Sequence, residues 1–257
     1  MKSVKNIFKI VGLLFLCVTL TGCPDKDPEP DPGPGPEPAP KPIVGGDTAG
    51  DFTYSIDGTT YKMIKVEGGP NGTFYMMQTE LPPNKQMKIG DETMRYYDYN
   101  ENGVFIKSEC HTFINLLRNK TGLNWKIPTK EEWKYAASGG NKSAKYKYSG
   151  SNNIGDVAWY NGNSQNAAHG IALKNANELG LYDMSGNYAE LTFDENGTDE
   201  FDVDGDLYGG SWKDSASDCT VSSFKKGSRT GKIPGTNTNE ACAVVCEAVA
   251  LRLIYYE

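Results

Sequence analysis

Residues 179–191 constrain the fold of this chain more than any other stretch; they are Leu-Gly-Leu-Tyr-Asp-Met-Ser-Gly-Asn-Tyr-Ala-Glu-Leu. Gly180 and Gly186 bracket a short run of apolar and polar residues, and glycine at such positions permits a turn with positive φ. Asn187 and Glu190 follow, so a turn could direct side-chain oxygens and backbone carbonyls to one point. Such donors suit calcium, which takes about six to eight oxygen ligands. The stretch therefore predicts either a calcium loop or a turn that only packs in the core.

The N-terminus predicts an exported lipoprotein. Three lysines precede an apolar run at residues 10–20, which is too short to span a bilayer but suits the core of a signal peptide. The run ends in Leu-Thr-Gly-Cys at residues 20–23, which resembles a bacterial lipobox. We therefore assign residues 1–22 to a lipoprotein signal peptide and expect a lipid on Cys23, which would anchor the chain in a membrane. The alternative is an ordinary cleaved signal followed by an unmodified cysteine.

Residues 23–44 are predicted to form a lipidated cysteine and a proline-rich linker, and residues 45–257 the folded domain. Proline occupies positions 24, 28, 30, 32, 34, 36, 38, 40 and 42, a pattern that favours extended polyproline II over a packed core. Asp25, Asp27 and Glu29 resemble the acidic surface-export signal that follows the lipidated cysteine in some Gram-negative lipoproteins. The expected location is the outer membrane, exposed at the cell surface.

The charge and the cysteine content of the chain limit which partners, disulfides and metal sites it can have. A net charge of -7 and a pI near 5.0 argue against nucleic acid, because no basic run is present to neutralise phosphates. Outside the leader and the lipidation site, the chain has an even number of cysteines for an oxidising compartment, Cys110, Cys219, Cys242 and Cys246. They allow two disulfides in three possible pairings. A zinc site is disfavoured because the chain has no Cys-x-x-Cys pair.

The periodicity of the folded part predicts an α+β domain with few helices. Asp57-Gly58 separates two short strand patterns and is typical of a hairpin turn. Residues 107–120 carry apolar side chains at helical spacing, and a second helix begins at Thr129, where Glu132 completes a capping box. Beyond the two glycines at 139 and 140, the sequence indicates short strands and loops.

Several blocks resemble formylglycine-generating-enzyme (sulfatase-modifying factor) domains. Residues 125–137 are similar to the family's Arg-Leu-Pro-Thr-x-x-Glu-Trp-Glu-Tyr-Ala-Ala signature, and residues 179–190 to its Gly-Leu-Tyr-Asp-Met-x-Gly-Asn-x-x-Glu block. Residues 66–76, 209–212 and 251–253 resemble its Val-x-Gly-Gly start, its Gly-Gly-Ser-Trp strand and its closing Phe-Arg-Leu. The resemblance implies that family's variant of the C-type lectin fold, with two main helices, small mixed sheets and much irregular structure.

The resemblance also implies an activity, which this chain is not expected to keep. Enzymes of the family oxidise a substrate cysteine with oxygen and copper(I), which two thiolates hold after the Gly-Gly-Ser strand. An ungapped alignment from Gly209 places Asp214 at the first thiol position and Cys219 at the second. A carboxylate is a poor ligand for copper(I). Cys219 is therefore only a residual catalytic candidate, and the pattern argues against bound copper.

Calcium is the better metal candidate under the same resemblance. The family site built on the Gly-Asn-x-x-Glu block maps to Gly186, Asn187, Tyr188 and Glu190, and a second site lies near Asp156. A separate acidic run at residues 199–206 resembles half of a calcium loop, but Lys213 stands where the closing glutamate would be. We interpret that run as a solvated loop.

The predicted function is a surface-displayed, non-catalytic binding domain for an unknown extracellular ligand, either a glycan or a protein. In relatives with this fold, the residues after the Gly-Gly-Ser-Trp strand form the binding face. Here these are Trp212, Asp214, Ser215, Ser217, Asp218, Thr220 and Ser222. The alternation of polar and apolar residues over 214–223 also predicts an ordinary half-buried strand. Two alternatives stay open, a formylglycine-generating oxidase and a structural subunit of a surface assembly.

Overall fold

The computed structural model describes residues 50–56, 59–81, 86–89, 92–95, 107–192, 206–226 and 248–256. All of them belong to one compact unit, Ala39–Glu257. The predicted signal peptide, the lipidation site Cys23, the linker, Cys242 and Cys246 lie outside the described residues, as does most of the acidic run at 199–206. The proposed domain boundaries therefore stay predictions, as does a disulfide between two of Cys110, Cys242 and Cys246. The prediction of two disulfides is wrong, because it needs Cys219, which is a free, buried thiol.

Two small sheets carry the fold. Their strands, with those of a separate hairpin, are β1 Phe52–Ile56, β2 Thr59–Gly69, β3 Gly72–Met77, β4 Gln86–Ile89, β5 Glu92–Arg95, β6 Trp125–Lys126, β7 Ala189–Leu191, β8 Asp206–Tyr208, β9 Phe224–Lys226, β10 Val249–Ala250 and β11 Ile254–Tyr255. The first sheet has the order β1-β2-β3-β11-β6 and the second β10-β7-β8-β9, while β4 pairs with β5. The second sheet is mixed, because β10 runs parallel to β7 and the other pairs are antiparallel.

The predicted hairpin is confirmed. Strands β1 and β2 pair antiparallel from Phe52 opposite Met63 to Ile56 opposite Thr59. The turn between them, residues 57 and 58, lies outside the described residues. Strand β2 continues into β3, and both deliver buried side chains such as Val66 and Phe74 to the core.

Both predicted helices are confirmed. Helix α1, Lys107–Thr121, buries Phe113, Ile114 and Leu117, which lie on one face at helical spacing. Helix α2, Lys130–Ala137, begins with the predicted capping box. In the box, Glu132 N donates to Thr129 Oγ1 at 3.2 Å and Thr129 N donates to Glu132 Oε2 at 2.8 Å.

Short helices complete the described secondary structure. A 3₁₀ turn, Gly140–Lys142, follows α2, and a single-turn helix α3 spans Ile154–Val157. Among the described helices, none is long and apolar enough to cross a membrane. The α+β class with two main helices and small mixed sheets is therefore confirmed.

The core has three clusters of buried side chains. One lies between α1 and both sheets and includes Trp125, and a second lies around Trp133 of α2. The third is small, and it packs Tyr148, Val157 and Ala158 around the thiol of Cys219. The third cluster therefore contains Cys219, the residual catalytic candidate.

Candidate functional site

Residues 179–191 form a turn-rich segment whose glycines have the predicted role. Gly180 and Gly186 have φ of 90° and 72°, in the region that favours glycine. A Cβ atom on Gly186 would lie 2.2 Å from the carbonyl oxygen of Trp159, whereas a Cβ on Gly180 would meet nothing within 4 Å. Glycine is thus needed at position 186 because the backbone of Trp159 lies so close. At position 180 it is needed only because of the positive φ.

Glu190 is part of a buried ion pair in the centre of the domain. Its Oε1 lies 2.7 Å from Arg252 Nη2, and its Oε2 accepts hydrogen bonds from Arg252 Nε at 2.9 Å and Trp133 Nε1 at 2.7 Å. The side chains of both ionic partners are fully buried. Arg252 also donates to the carbonyl oxygens of Met77 and Tyr182. The ion pair therefore joins α2, strands β3 and β7 and the C-terminal segment.

Two further carboxyl groups lie near this ion pair. Glu80 is 1% exposed, and its Oε2 has no hydrogen-bond partner among the described residues. Burial raises the pKa of Glu80 well above its ordinary value, and the charges of Asp183 and Glu190 raise it further. Burial also raises the pKa of Asp183, although that carboxylate accepts a hydrogen bond from Ala172 N at 2.7 Å.

Asn187 connects this buried group to the surface loops. Its side-chain Nδ2 donates to Glu80 Oε1 at 2.7 Å, and its Oδ1 accepts from His169 N at 2.9 Å. Its backbone N donates to Trp159 O at 2.8 Å, and its carbonyl oxygen accepts from Trp212 N at 2.9 Å. The structure therefore places Asn187 at the junction of three loops.

The predicted strand over residues 214–223 is wrong, because that stretch forms consecutive turns. Asp214 Oδ2 accepts from Ser211 N at 2.9 Å and from Ser211 Oγ at 2.7 Å. Asp218 Oδ2 accepts from Ser215 N at 3.2 Å and from Ser215 Oγ at 2.6 Å. Side chains that bind nearby backbone amides favour turns over a strand ladder, and the repeated Ser-x-x-Asp spacing was the signal for these turns.

The predicted ligand-binding residues lie together on this turn-rich loop, which we call the binding face: Trp212, Asp214, Ser215, Ser217, Asp218, Thr220 and Ser222. Trp212 is half-buried, and Lys213 Nζ lies 4.7 Å from the centroid of its ring. Asp214 also forms an ion pair with Lys225. The hydrogen bond from Ser215 lowers the pKa of Asp218.

Cys219 lies beneath the binding face as a free thiol. It is 0% exposed, and its Sγ lies 4.0 Å from the carbonyl oxygen of Ser211. Burial raises the pKa of the thiol to about 12, and the charges of Asp214 and Asp218 contribute to the rise. The thiolate is the nucleophile and the metal ligand, so the environment of Cys219 disfavours both roles.

We predict that Cys219 resists alkylation in the folded protein. With a pKa of about 12, only about one thiol in ten thousand is ionised at pH 8, and the side chain is also inaccessible. Iodoacetamide treatment followed by peptide mapping should show an unmodified Cys219 in native protein. The same residue in urea should be fully modified, and equal labelling in both states would contradict the prediction.

The candidate calcium residues lie in two separate parts of the structure, as the two predicted sites require. Gly186, Asn187 and Glu190 lie in the buried segment and Tyr188 is half-buried beside them. Asp156 is exposed on α3, where it accepts from Ser151 Oγ at 3.1 Å and Asn153 Nδ2 at 2.9 Å. Within the described part of the chain, no three His, Cys, Asp or Glu side chains are grouped so that they could hold a metal ion. Calcium binding stays a prediction.

Sequence patterns missed a stack of side chains beside the binding face. The rings of Trp159 and His169 stack with centroids 3.7 Å apart at 13°. Lys174 Nζ lies 4.1 Å from the Trp159 centroid and donates to Gly155 O at 2.7 Å. These residues come from separate loops, so their spacing in the sequence carries no signal of the stack.

Comparison with known proteins places this geometry in a family. The model of the sulfatase-modifying factor enzyme 1-like domain matches residues 48–240. The chain is 43% identical over 89 residues to "Chaperone protein LppX" of Paenibacillus barcinonensis, a match that covers 28% of this chain and 32% of that protein. The match thus takes in only about a third of that relative's length.

Solved structures resemble the fold over most of the chain. Treponema denticola variable protein 1 superposes with a TM-score of 0.58 at 20% identity, covering 81% of this chain and 99% of that one. CarF superposes with a TM-score of 0.50 at 17% identity, covering 75% of this chain and 97% of the other. At these identities the likeness concerns the fold alone. With the family match across residues 48–240, it shows that the chain belongs to the family of sulfatase-modifying factor enzyme 1-like domains.

Proposed function

We propose that this protein is a cell-envelope lipoprotein, displayed on the outer membrane, whose domain binds a ligand without catalysing a reaction. The observation that carries the proposal is the state of the two positions that align with the family's copper-binding thiols. Asp214 is engaged with Ser211 and Lys225, and Cys219 is a buried thiol whose pKa is raised to about 12. The proposal assigns the domain to recognition, since neither position supplies a thiolate.

The copper chemistry of the family does not fit these residues. Copper(I) is a soft ion and prefers thiolate ligands. Binding at Cys219 would require ionisation of a thiol that faces the nearby carboxylates of Asp214 and Asp218. The Asp214 carboxylate is a hard ligand, and replacing its partners with a metal would remove the hydrogen bonds that form the first turn of the binding face.

The binding face has properties that suit recognition. Its loop is fixed by hydrogen bonds within the loop, including Thr220 Oγ1 to Ser223 Oγ at 2.7 Å and Ser223 Oγ to Ser217 O at 2.8 Å. Such a pre-ordered loop loses little conformational freedom on binding, which favours affinity. Small hydroxyl side chains around a half-exposed tryptophan are also typical of binding loops in antibodies.

The envelope location is supported by the sequence of the N-terminus. The basic start, the short apolar run and Leu-Thr-Gly-Cys at residues 20–23 support lipidation at Cys23. The acidic residues that follow support export to the cell surface. The ligand would then be a glycan or protein outside the cell.

A second candidate function comes from the named relative. The protein from Paenibacillus barcinonensis carries the name of a chaperone, and it shares 43% identity over 89 residues. If that likeness extends to function, the ligand of the binding face is another protein rather than a glycan. Retention of glycans by the face would favour a lectin over this candidate.

The proposal is tested by binding of the full-length chain in mild detergent to a glycan array and to proteins from surface extracts. Binding through the face should be reduced about tenfold or more by Trp212→Ala, because aromatic side chains often dominate interfaces. Asn119→Ala, an exposed position on α1, should leave binding unchanged. Retention of glycans favours a lectin, and stoichiometric retention of a protein favours the chaperone-like candidate.

The same preparation tests for the formylglycine-generating oxidase activity. Copper(I) competition with a chromogenic chelator and oxygen consumption with a cysteine peptide should give no signal above that of the Cys219→Ser variant. Tight copper binding that requires Cys219, together with turnover of the peptide, would overturn the non-catalytic proposal.

A further inference from the structure

Asn187 uses all of its polar groups inside the protein. It is 0% exposed with φ of 56°, and its backbone and side chain reach Trp159, His169, Trp212 and Glu80. Besides the bonds given above, its Nδ2 donates to His169 O at 3.2 Å. Asparagine tolerates positive φ better than most residues, so one residue both makes the turn and fixes three loops.

The network continues from Asn187 to the binding face. The ring Nε2 of His169 lies 2.9 Å from Ser164 O, and Ser164 Oγ donates to Trp212 O at 2.8 Å. Trp212 is therefore held through its backbone N by Asn187 and through its backbone O by Ser164. Asn161 N also donates to Asp214 O at 3.0 Å. The loop that contains Asn161 and Ser164 thus supports the start of the binding face.

The residues at the calcium position of the family do not fit a calcium ion here. Calcium needs free oxygen donors at about 2.3–2.6 Å. Both carboxylate oxygens of Glu190 already accept hydrogen bonds from Arg252 or Trp133, and Asn187 Oδ1 accepts from His169 N. The positive guanidinium of Arg252, 2.7 Å from Glu190 Oε1, would also repel a cation at that oxygen.

We infer that Glu80 and Asn187 act as positioning residues that order the loops of the binding face in place of a bound calcium ion. Glu80 holds the Asn187 amide at 2.7 Å from inside the core, and Asn187 holds the three loops. The order of residues 159–169 and 211–215 is therefore independent of divalent cations. This inference rests on the proposed function in one respect, namely that these loops form the ligand-binding face.

The first test is calcium itself, added to the full-length chain in detergent after treatment with a chelator. The unfolding temperature should be the same with and without calcium. A folded-state site saturated at about 100 times its dissociation constant would raise that temperature by several degrees. Such a rise would overturn the inference.

The second test uses the Asn187→Asp variant. Aspartate keeps the size of the side chain and the acceptor for His169 N, but it loses the amide hydrogens that Asn187 donates to Glu80 and to His169 O. We expect hydrogen exchange of the backbone amides of residues 169, 187 and 212 to become about tenfold faster or more, as for a loop that opens locally. Exchange in α1 should change much less. Unchanged loop exchange would contradict the positioning role.

A rescue variant separates positioning from a general loss of folding. Adding Glu80→Gln to Asn187→Asp restores one hydrogen bond in the reverse direction, from the new amide at position 80 to the new carboxylate at position 187. The double variant should therefore unfold at a higher temperature and exchange more slowly than Asn187→Asp alone. If it does not, direct contact between the two side chains is not what orders the loops.

Asn141→Asp is the matched control, because it makes the same change at an exposed asparagine of the 3₁₀ turn Gly140–Lys142, outside these loops. It should leave the exchange of Trp212 unchanged. None of these measurements uses a ligand, so their failure is distinguishable from failure of the proposed function. Ordered, calcium-independent loops that retain no glycan or protein would refute the binding function alone.

Discussion

Arg252→Met is expected to destabilise the domain by about 3–5 kcal/mol, because it leaves a buried carboxylate without its charge partner. Glu190 is 0% exposed and would keep only the hydrogen bond from Trp133. The carbonyl oxygens of Met77 and Tyr182 would lose their donor as well. Urea unfolding of the full-length chain in detergent, followed by tryptophan fluorescence, measures the loss. Failure of the variant to fold would agree with the upper end of this range.

A second substitution tests the cause of that loss. Glu190→Gln removes the orphaned charge in the Arg252→Met background, so the double variant should be more stable than Arg252→Met alone. The glutamine introduced at position 190 can still accept the hydrogen bond from Trp133. If the double variant is instead less stable than Arg252→Met alone, burial of the unpaired Glu190 charge is not the main cause of the loss in stability.

Arg118→Met provides the control for loss of an arginine. Arg118 lies on α1, is half-buried and donates to Trp125 O at 2.8 Å. Arg118 also donates to Asn115 Oδ1 at 3.4 Å. Its removal should cost about 1–2 kcal/mol, as expected for neutral hydrogen-bond acceptors near the surface. If Arg118→Met lost as much stability as Arg252→Met, the buried ion pair would contribute no more to stability than the contacts of an arginine near the surface.

Local signals in the sequence predicted the elements that depend on neighbouring residues. The capping box needs only Thr129 and Glu132, three positions apart, and both of its hydrogen bonds are present. The helix over 107–121 follows from apolar residues that repeat along one face. The family blocks extended this to the fold class, because each block marks a segment of the same architecture.

Local sequence patterns could not predict contacts between side chains that are far apart in the chain. Glu190 is 62 positions from Arg252, and Glu80 is 107 positions from Asn187. A lone glutamate at position 80 has no pattern around it that predicts burial. The resemblance led to Glu190 as a calcium ligand, whereas only the structure gives its guanidinium partner.

The strand predicted over 214–223 failed for a different reason. Alternating polar and apolar residues are typical of a strand only when the backbone amides are free for a ladder. Here Asp214 and Asp218 take the amides of Ser211 and Ser215. The two Ser-x-x-Asp repeats therefore outweigh the alternation, and the strand begins only at Phe224.

Gly186→Ala is expected to destabilise the domain by about 3 kcal/mol or more, within the range of severe single substitutions. Two costs combine. Alanine at φ of 72° carries about 1–2 kcal/mol of backbone strain. Its Cβ would also lie 2.2 Å from Trp159 O, so the two backbones must separate. That movement would break the hydrogen bond from Asn187 N to Trp159 O.

Gly180→Ala is the matched comparison, because it isolates the first of these costs. Gly180 has φ of 90°, and its added Cβ would meet nothing within 4 Å. Its loss should therefore be about 1–2 kcal/mol. Urea unfolding of both variants, with equal dependence on urea, measures the difference. Equal losses would show that the backbones at residues 186 and 159 can move apart at no cost in stability. Glycine at position 186 would then be needed only because of its positive φ.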